Sequence, residues 1–402
     1  MTLEEFSILC LPEVRQAIAD NLGRDAAAVA LDRRVPHARE VASQVKYLAR
    51  AATKLPSYAA AGCILPPLAF EQSSGELCAA RKHGNGGPDS SVLDLTCGLG
   101  TDSLCLSRRF ARVTAVERDE VLARVARENF RRLGVANVEV VCAAAEDFLA
   151  ECSRSGRRFD MIYADPDRRD DRGRKMVCLE DCSPDIVTLL PLIHSLAPTL
   201  SLKLSPMFDV DEAFRIFGEV TVEVVSAGGE CKEVIICDDG SRTARISAVA
   251  LHSDGSVSEV SYLRGDSAAA PVTAHFDPTR YRALGIPDPA LQKARLVSRS
   301  LAGRADVWSE NGFAFSTAAD PSDAVGGLCR WYAVESIEPY SPRRLRRELK
   351  GLGVELFKRD FPFSVADVRR ACSLRDGRDL RAAITKIGGE HWFIRLGNPL
   401  QP

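Results

Sequence analysis

From Ser91 onward the chain alternates short apolar runs with amphipathic stretches, and that alternation constrains the fold more than any other feature. SVLDL, RVTAVE, VEVVCA, FDMIYAD and LSLKLS read as strands. Between them, TDSLCLSRRF, EVLARVARENFRRLG, AEDFLAECS and PDIVTLLPLIHSLAP carry apolar residues at helical spacing. Gly134 stands just past the second of these as a helix terminator. Strand–helix alternation of this kind predicts an α/β fold with a parallel, doubly wound sheet. VTVEVVSAG, EVIICDDG and TARISAVAL follow without helices between them and predict antiparallel strands at the sheet edge.

The flanks read differently. Residues 1 to about 80 have helical character, clearest in SQVKYLARAATKL, which Pro56 ends. KHGNGGPDSS, Lys82 to Ser91, is a glycine-rich break before the first strand. Residues 275 to 330 carry few periodic signals. From Arg330 a compact α+β pattern returns: WYAVESIEP, VELFKRD, LRAAITKIG and EHWFIRLG as strands, SPRRLRRELKGLG and SVADVRRACSL as helices.

Composition excludes some classes of function. The 402 residues are 46% hydrophobic and 27% charged, as in an ordinary globular protein. No apolar run approaches the roughly 20 residues of a membrane span, and MTLEEFSILC lacks the features of a signal peptide. A cytoplasmic protein with no membrane partner is expected. The 13 cysteines include no Cys-x-x-Cys pair, and the six histidines are dispersed, so no metal site is expected. Cys178 and Cys182, four apart, read as buried thiols rather than ligands. Net charge is only −2, yet residues 341–386 hold 13 Lys and Arg against six acids. That local excess is the electrostatic footprint expected of phosphate binding.

The most informative motif is VLDLTCGLGTDS. A strand ends in Asp94, Gly98 and Gly100 follow, and a helix opens at Thr101 and Asp102 with free N–H groups. Glu117, 23 residues beyond Asp94, ends the next strand, where a carboxylate can accept hydrogen bonds from a ribose diol. The dinucleotide fingerprint is incomplete, because Ser103 occupies its third glycine position, and the P-loop lysine is missing. The arrangement instead resembles motifs I and II of class I S-adenosylmethionine-dependent methyltransferases. That resemblance implies that Asp94, Gly98 and Gly100 hold the methionine part of the cofactor and Glu117 the ribose. Thr101, Asp102 and Arg118 are cofactor-binding candidates beside them. After the third strand Ala144 stands where the family often has an acid facing adenine. Glu146 and Asp147 are candidates to substitute, and both are equally well explained as acids at a helix N-terminus.

YADPDRRD, Tyr163 to Asp170, marks the expected reaction site, since ligands of open α/β sheets bind at the carboxyl ends of strands. In amino-group methyltransferases this loop reads Asp-Pro-Pro-aromatic, and the resemblance implies that Asp165 and Pro166 orient the acceptor. Here Asp167 replaces the second proline and Arg168 the aromatic. Arg168 and Arg169 suit phosphate, or equally a salt bridge to Asp167, Asp170 or Asp171. Lys203, near the end of the fifth strand, is placed to bind a substrate phosphate or a carboxylate such as Asp165.

Together EQSSGELCA, DPDRRD, LKLSPMFDV and GECKEVII are similar to one family, the bacterial methyltransferases with a THUMP-like C-terminal domain. The resemblance implies a helical region over 1–82, a Rossmann-like methyltransferase domain over 83–270, a ferredoxin-like segment over 271–328 and a THUMP-like domain over 329–402. It implies that Gln72, Ser73 and Ser74 lie over the cofactor and that RNA is the substrate, methylated on a base, more readily on nitrogen than on carbon or oxygen. Arg343, Arg344 and Arg347 are then candidates for RNA phosphates. Phe357, Phe361, Phe363 and Trp392 are expected in the core of the small domain, and Cys231 is expected to be a structural thiol. The alternatives are a methyltransferase acting on protein or a small molecule, and a non-catalytic RNA-binding protein.

Overall fold

The computed structural model describes residues 1–81, 84, 86–167, 179, 182–266, 271–272, 275–321 and 324–400. The chain forms two compact units, Met1–Thr221 with Val234–Thr243, and Val222–Glu233 with Ala244–Pro402.

The first unit opens with seven helices: α1 (Leu3–Cys10), α2 (Pro12–Asn21), α3 (Ala26–Leu31), α4 (Ala38–Lys54), α5 (Pro56–Ala60), α6 (Pro67–Gln72) and α7 (Glu76–Ala79). Helix α4 buries Val41, Val45 and Leu48 at helical spacing, each contributing about 1.5–3 kcal/mol by leaving water. Strands and helices then alternate as the sequence predicts: β1 (Ser91–Asp94), α8 (Thr101–Ser107), β2 (Arg112–Glu117), α9 (Glu120–Arg132), β3 (Val138–Cys142), α10 (Ala145–Ser155), β4 (Met161–Ala164), α11 (Ile186–Leu196), β5 (Thr199–Leu204) and α12 (Val210–Phe217). Asp119 caps α9 by accepting from the Leu122 amide at 2.8 Å, and Gly134 follows the helix with φ +70°. The parallel strands take the order β3-β2-β1-β4-β5. Beyond β6 (Thr221–Ala227) runs β7 (Glu230–Asp238), whose residues Val234–Asp238 pair antiparallel with Leu200–Leu204 of β5.

The N-terminal helices are not a separate layer. Leu9, Val14, Val45 and Phe70 belong to the same hydrophobic core as Leu99, Leu104 and Phe130. Two buried amides fix the chain between α5 and α6. Asn129 of α9 accepts from the Ile64 amide at 2.8 Å and donates to its carbonyl at 2.9 Å. Gln44 of α4 does the same for Leu65, at 2.8 and 3.2 Å. The segment that leads into α6, and so to Gln72 and Ser73, is therefore held from both sides.

The second unit contains β8 (Arg245–Leu251) and β9 (Val257–Leu263), an antiparallel pair. They are followed by β10 (Ala283–Pro287), α13 (Pro289–Lys293), α14 (Val297–Ser300), β11 (Asp306–Val307) and β12 (Ala314–Ser316). The last stretch is β13 (Cys329–Pro339), α15 (Pro342–Leu349), β14 (Gly353–Lys358), α16 (Val365–Cys372), β15 (Arg375–Ile387) and β16 (Glu390–Pro399). A seven-stranded sheet of order β11-β12-β10-β13-β16-β15-β14 unites the segments that the sequence divides at 328. The compact units also part earlier than the sequence-based boundary at 270, because β8 packs with α13. The strands of 283–316 escaped the sequence reading for a physical reason. β10 is ALGIP, buried at all five positions, so it shows no alternation. It also holds a glycine because a Cβ on Gly285 would meet the Cys329 sulfur at 2.6 Å and the Trp331 ring at 2.8 Å.

Candidate active site

A cleft of about 720 Å³ opens at the carboxyl ends of β1, β2 and β4, wholly within the first unit. Its floor is the loop from Leu95 to Leu99. Asp94 organises that loop: its carboxylate accepts from the Thr96 amide at 2.9 Å and from the Ser103 hydroxyl at 2.5 Å. The first bond is an Asx-type turn. The second explains Ser103, which stands where a dinucleotide fold has its third glycine. Asp94 is fully buried, and burial is the first cause that pushes its carboxyl up to about 7.

The two glycines serve different ends. Gly98 has φ +55°, a Cβ there would meet only the Thr96 carbonyl oxygen at 3.9 Å, and its amide donates to Glu117 Oε2 at 2.8 Å. Gly100 has φ +87°, and a Cβ there would meet the Phe130 ring at 2.7 Å. Gly98 thus keeps the cleft open, whereas Gly100 lets α8 approach α9. Glu117 Oε1 accepts from the Asp119 amide at 2.9 Å. Each carboxylate oxygen therefore has one backbone donor and one lone pair left for a vicinal diol. Burial pushes the Glu117 carboxyl above its ordinary value.

Gln72, Ser73, Gly98, Thr101, Asp102 and Glu117 all line the cleft. So do Arg118, Glu146, Asp165, Pro166 and Lys203. Arg118 donates to the Ser183 hydroxyl at 3.0 Å. Asp94, Gly100 and Asp147 do not line it. Asp94 and Gly100 shape the loop from behind. Asp147 is an exposed residue in the first turn of α10, so Glu146 alone of the two acids is placed against the cleft.

At the acceptor end Lys203 of β5 forms an ion pair with Asp165. The Asp165 amide donates to Thr96 Oγ1 at 2.7 Å. Thr96 thereby couples the cofactor loop to the acceptor loop, a role the sequence reading missed; a threonine two residues past the strand-ending aspartate was the available signal. Asp167 bridges Ser183 by two backbone hydrogen bonds of 2.9 and 3.0 Å, which closes this end of the cleft. Ser74, expected over the cofactor with Gln72 and Ser73, lines the cleft too; it donates to Asp102 at 3.0 Å and ties the α6–α7 link to α8. Arg168 and Arg169 lie outside the described residues.

In the second unit Arg343 and Arg347 are exposed on α15, with Lys350 just after it. Arg347 meets Glu348 only at 3.9 Å. Arg344 differs: it pairs with Glu338 at 2.5 Å and donates to the Pro339 carbonyl at 3.3 Å. Its guanidinium is held by these contacts within the fold, unlike those of Arg343 and Arg347. Phe361 and Trp392 are buried and Phe357 is packed against the core, but Phe363 is 51% exposed. Burial pushes the Cys231 thiol up to about 11, so it is protonated at neutral pH.

Among the described residues no cluster of His, Cys, Asp and Glu is arranged to hold a metal ion. No helix among them is long and apolar enough to cross a membrane.

Comparison with known proteins agrees with this geometry. Residues 92–168 match the methyltransferase domain family, and residues 329–397 match a THUMP domain-like family. An uncharacterised S-adenosylmethionine-dependent methyltransferase of Mycobacterium tuberculosis is 26% identical over 300 residues, 74% of this chain and 77% of that protein. A 23S rRNA (uracil(1939)-C(5))-methyltransferase of Stenotrophomonas maltophilia is 40% identical over 82 residues, 20% of this chain but only 18% of that protein. The crystal structure of a candidate methyltransferase from Porphyromonas gingivalis W83 superposes with a TM-score of 0.75 over 98% of both chains at 24% identity, a likeness of fold. Fold and cleft define an S-adenosylmethionine-dependent methyltransferase. Within that class, the chain joins a match to the methyltransferase domain family with a C-terminal match to a THUMP domain-like family.

Proposed function

We propose that the chain methylates RNA, on a base. The observation that carries this reading is the THUMP-like match over 329–397, joined to a methyltransferase cleft with an Asp-Pro acceptor loop. The exposed Arg343, Arg347 and Lys350 supply the cationic face that a polyanion requires. The Stenotrophomonas relative named as an rRNA methyltransferase points the same way.

The residues present fit the cofactor. Glu117 offers paired acceptors for a ribose diol, and Gly98 leaves room for a ligand against the backbone. S-adenosylmethionine bound there supplies a methyl group on a positively charged sulfur. Asp165 accepts a hydrogen bond from an amino nitrogen of the base and turns its lone pair toward that methyl. The Lys203 ion pair keeps the Asp165 carboxylate in place, and Thr96 holds its backbone. Rate gain here comes from alignment and exclusion of water. Methylation of a uracil C5 needs a thiolate to attack C6. Cys97, the cysteine on the described cleft wall, is buried with its thiol pushed well above the ordinary value. The Asp-Pro pair at the acceptor end supports nitrogen as the acceptor atom.

Purified protein, labelled S-adenosylmethionine and total RNA from a strain lacking the chain provide the test, with nucleoside mass spectrometry to identify the product. Label is expected in an N-methylated base. Asp165→Ala is expected to lower kcat by about 10²-fold or more while leaving cofactor affinity near wild type. Label entering protein or small molecules but never RNA overturns the proposal.

A further inference from the structure

The second unit holds an open pocket of about 550 Å³, remote in sequence from every residue of the cofactor cleft. Lys358, Arg359 and Lys386 line it, against a single acid, Asp360. Lys358 ends β14 and Lys386 stands near the end of β15, on adjacent strands in the register Lys358↔Ile384. The Arg359 amide donates to the Ile384 carbonyl at 3.1 Å, so the backbone beneath the guanidinium is fixed. Among the described residues the Arg359 guanidinium has no ion pair and no hydrogen-bond acceptor, and its Nε is sealed from solvent. Burial pushes Arg359 below its ordinary value, and Asp360 and Asp288 offset this only in part. A half-buried cation whose charge is only partly offset is costly, unless an anion arrives to complete it.

Two further features shape the same pocket. Asp360 lies in left-handed backbone at φ +47°, a strained conformation that clusters at ligand clamps. On the facing wall, the Gln292 side-chain amide donates to the Asn311 and Gly312 carbonyls at 3.0 and 3.4 Å. Phe361 lines the pocket, and the exposed Phe363 meets it edge-on with ring centroids 5.9 Å apart. Three cations beside an exposed aromatic ring form the chemistry that holds a nucleotide by its phosphate and stacks its base.

We propose that this pocket binds a phosphate group of the RNA substrate, gripped by Lys358, Arg359 and Lys386, with Phe363 as the stacking surface for an adjoining base. The assignment rests on the RNA reading above. It adds a second point of attachment, distinct from the Arg343–Arg347 face of α15.

The test uses the full-length chain and its Lys358→Gln/Arg359→Gln/Lys386→Gln variant. One arm measures thermal unfolding against inorganic phosphate at constant ionic strength. The other measures RNA binding against salt, with S-adenosylmethionine binding as a control. Phosphate is expected to raise the melting temperature of the wild type and not of the variant. RNA affinity is expected to fall about tenfold or more, and the slope of log K against log salt to shrink by about two to three. S-adenosylmethionine affinity is expected to stay unchanged. Arg359→Gln alone is expected to leave the melting temperature unchanged or higher, because it removes a half-buried charge that is only partly offset; a fall would mark Arg359 as a structural residue and overturn its role. Phosphate stabilisation lost in the variant, with RNA affinity unchanged, overturns the RNA source in favour of a small phosphorylated ligand. Absence of both effects, with RNA still bound by the wild type, overturns the pocket and spares the RNA reading. A wild type that binds phosphate but no RNA overturns the RNA reading and leaves an anion site.

Discussion

Glu117 is the residue on which cofactor affinity turns. Its two oxygens are each half satisfied by backbone amides, so the remaining lone pairs are aimed by the protein rather than by chance. Charge-assisted hydrogen bonds of this kind contribute about 1.5–3 kcal/mol each. Glu117→Ala is expected to weaken S-adenosylmethionine binding by about 10- to 100-fold in calorimetry, with no comparable loss in melting temperature. Asp94 makes the contrasting case. Its carboxyl is buried and pushed up to about 7 from an ordinary value of 3.8. Between those values the folded chain keeps a proton that the unfolded chain has released. The stability that Asp94 contributes is therefore full below about pH 4 and is lost as pH rises through about 7. Asp94→Asn cannot titrate, so its melting temperature is expected to gain on the wild type between pH 5 and pH 8. Parallel curves for the two proteins across that range would show that burial does not control this carboxyl.

The turn from β1 into α8 and the packing of α8 on α9 make separate demands on two glycines only two residues apart. Gly100→Ala places a methyl group 2.7 Å from the Phe130 ring and forces φ +87° on an L-residue. A loss of roughly 2–4 kcal/mol in unfolding free energy is expected from strain and overpacking together. Gly98→Ala meets only the Thr96 carbonyl oxygen, at an unstrained 3.9 Å, so it costs about 1 kcal/mol for its left-handed backbone. Its methyl group projects where a ligand approaches, and cofactor affinity is expected to fall more than stability. Chemical denaturation with and without S-adenosylmethionine separates the two outcomes. The same element carries the amide of Asn129, which fixes Ile64 and through it the path to Gln72. Nothing in the sequence of α9 distinguishes Asn129 from an exposed polar residue. Its function follows from what lies opposite it in the fold.

Across the molecule, the first unit carries the cofactor cleft and the second carries the cationic surfaces. The Arg343→Gln/Arg347→Gln pair removes two exposed charges of α15. The expected result is an RNA-binding salt slope reduced by about two, equal weakening for all sequences, and unchanged S-adenosylmethionine affinity. Arg344→Gln is expected to act differently, through lower stability, because Arg344 pairs with Glu338 within the fold. Filter binding across salt concentrations and thermal unfolding read the two effects.

The parallel sheet, the order of its motifs and the sides of the cleft were legible in the sequence. Strand and helix periodicity is a local property, and Asp94, Gly98, Glu117 and Asp165 mark strand ends that such a sheet must bring together. Tertiary structure alone decided which of these residues touch the cleft. Asp94 and Gly100 turn away from it because burial and Phe130 claim them, and Thr96 enters because the end of β4 lies beside the end of β1. It also decided that Arg344 is paired while the half-buried Arg359 guanidinium has no ion pair among the described residues. Neither fact depends on neighbours in sequence. Both depend on which carboxylates the folded chain brings within reach, a distance that no linear pattern encodes.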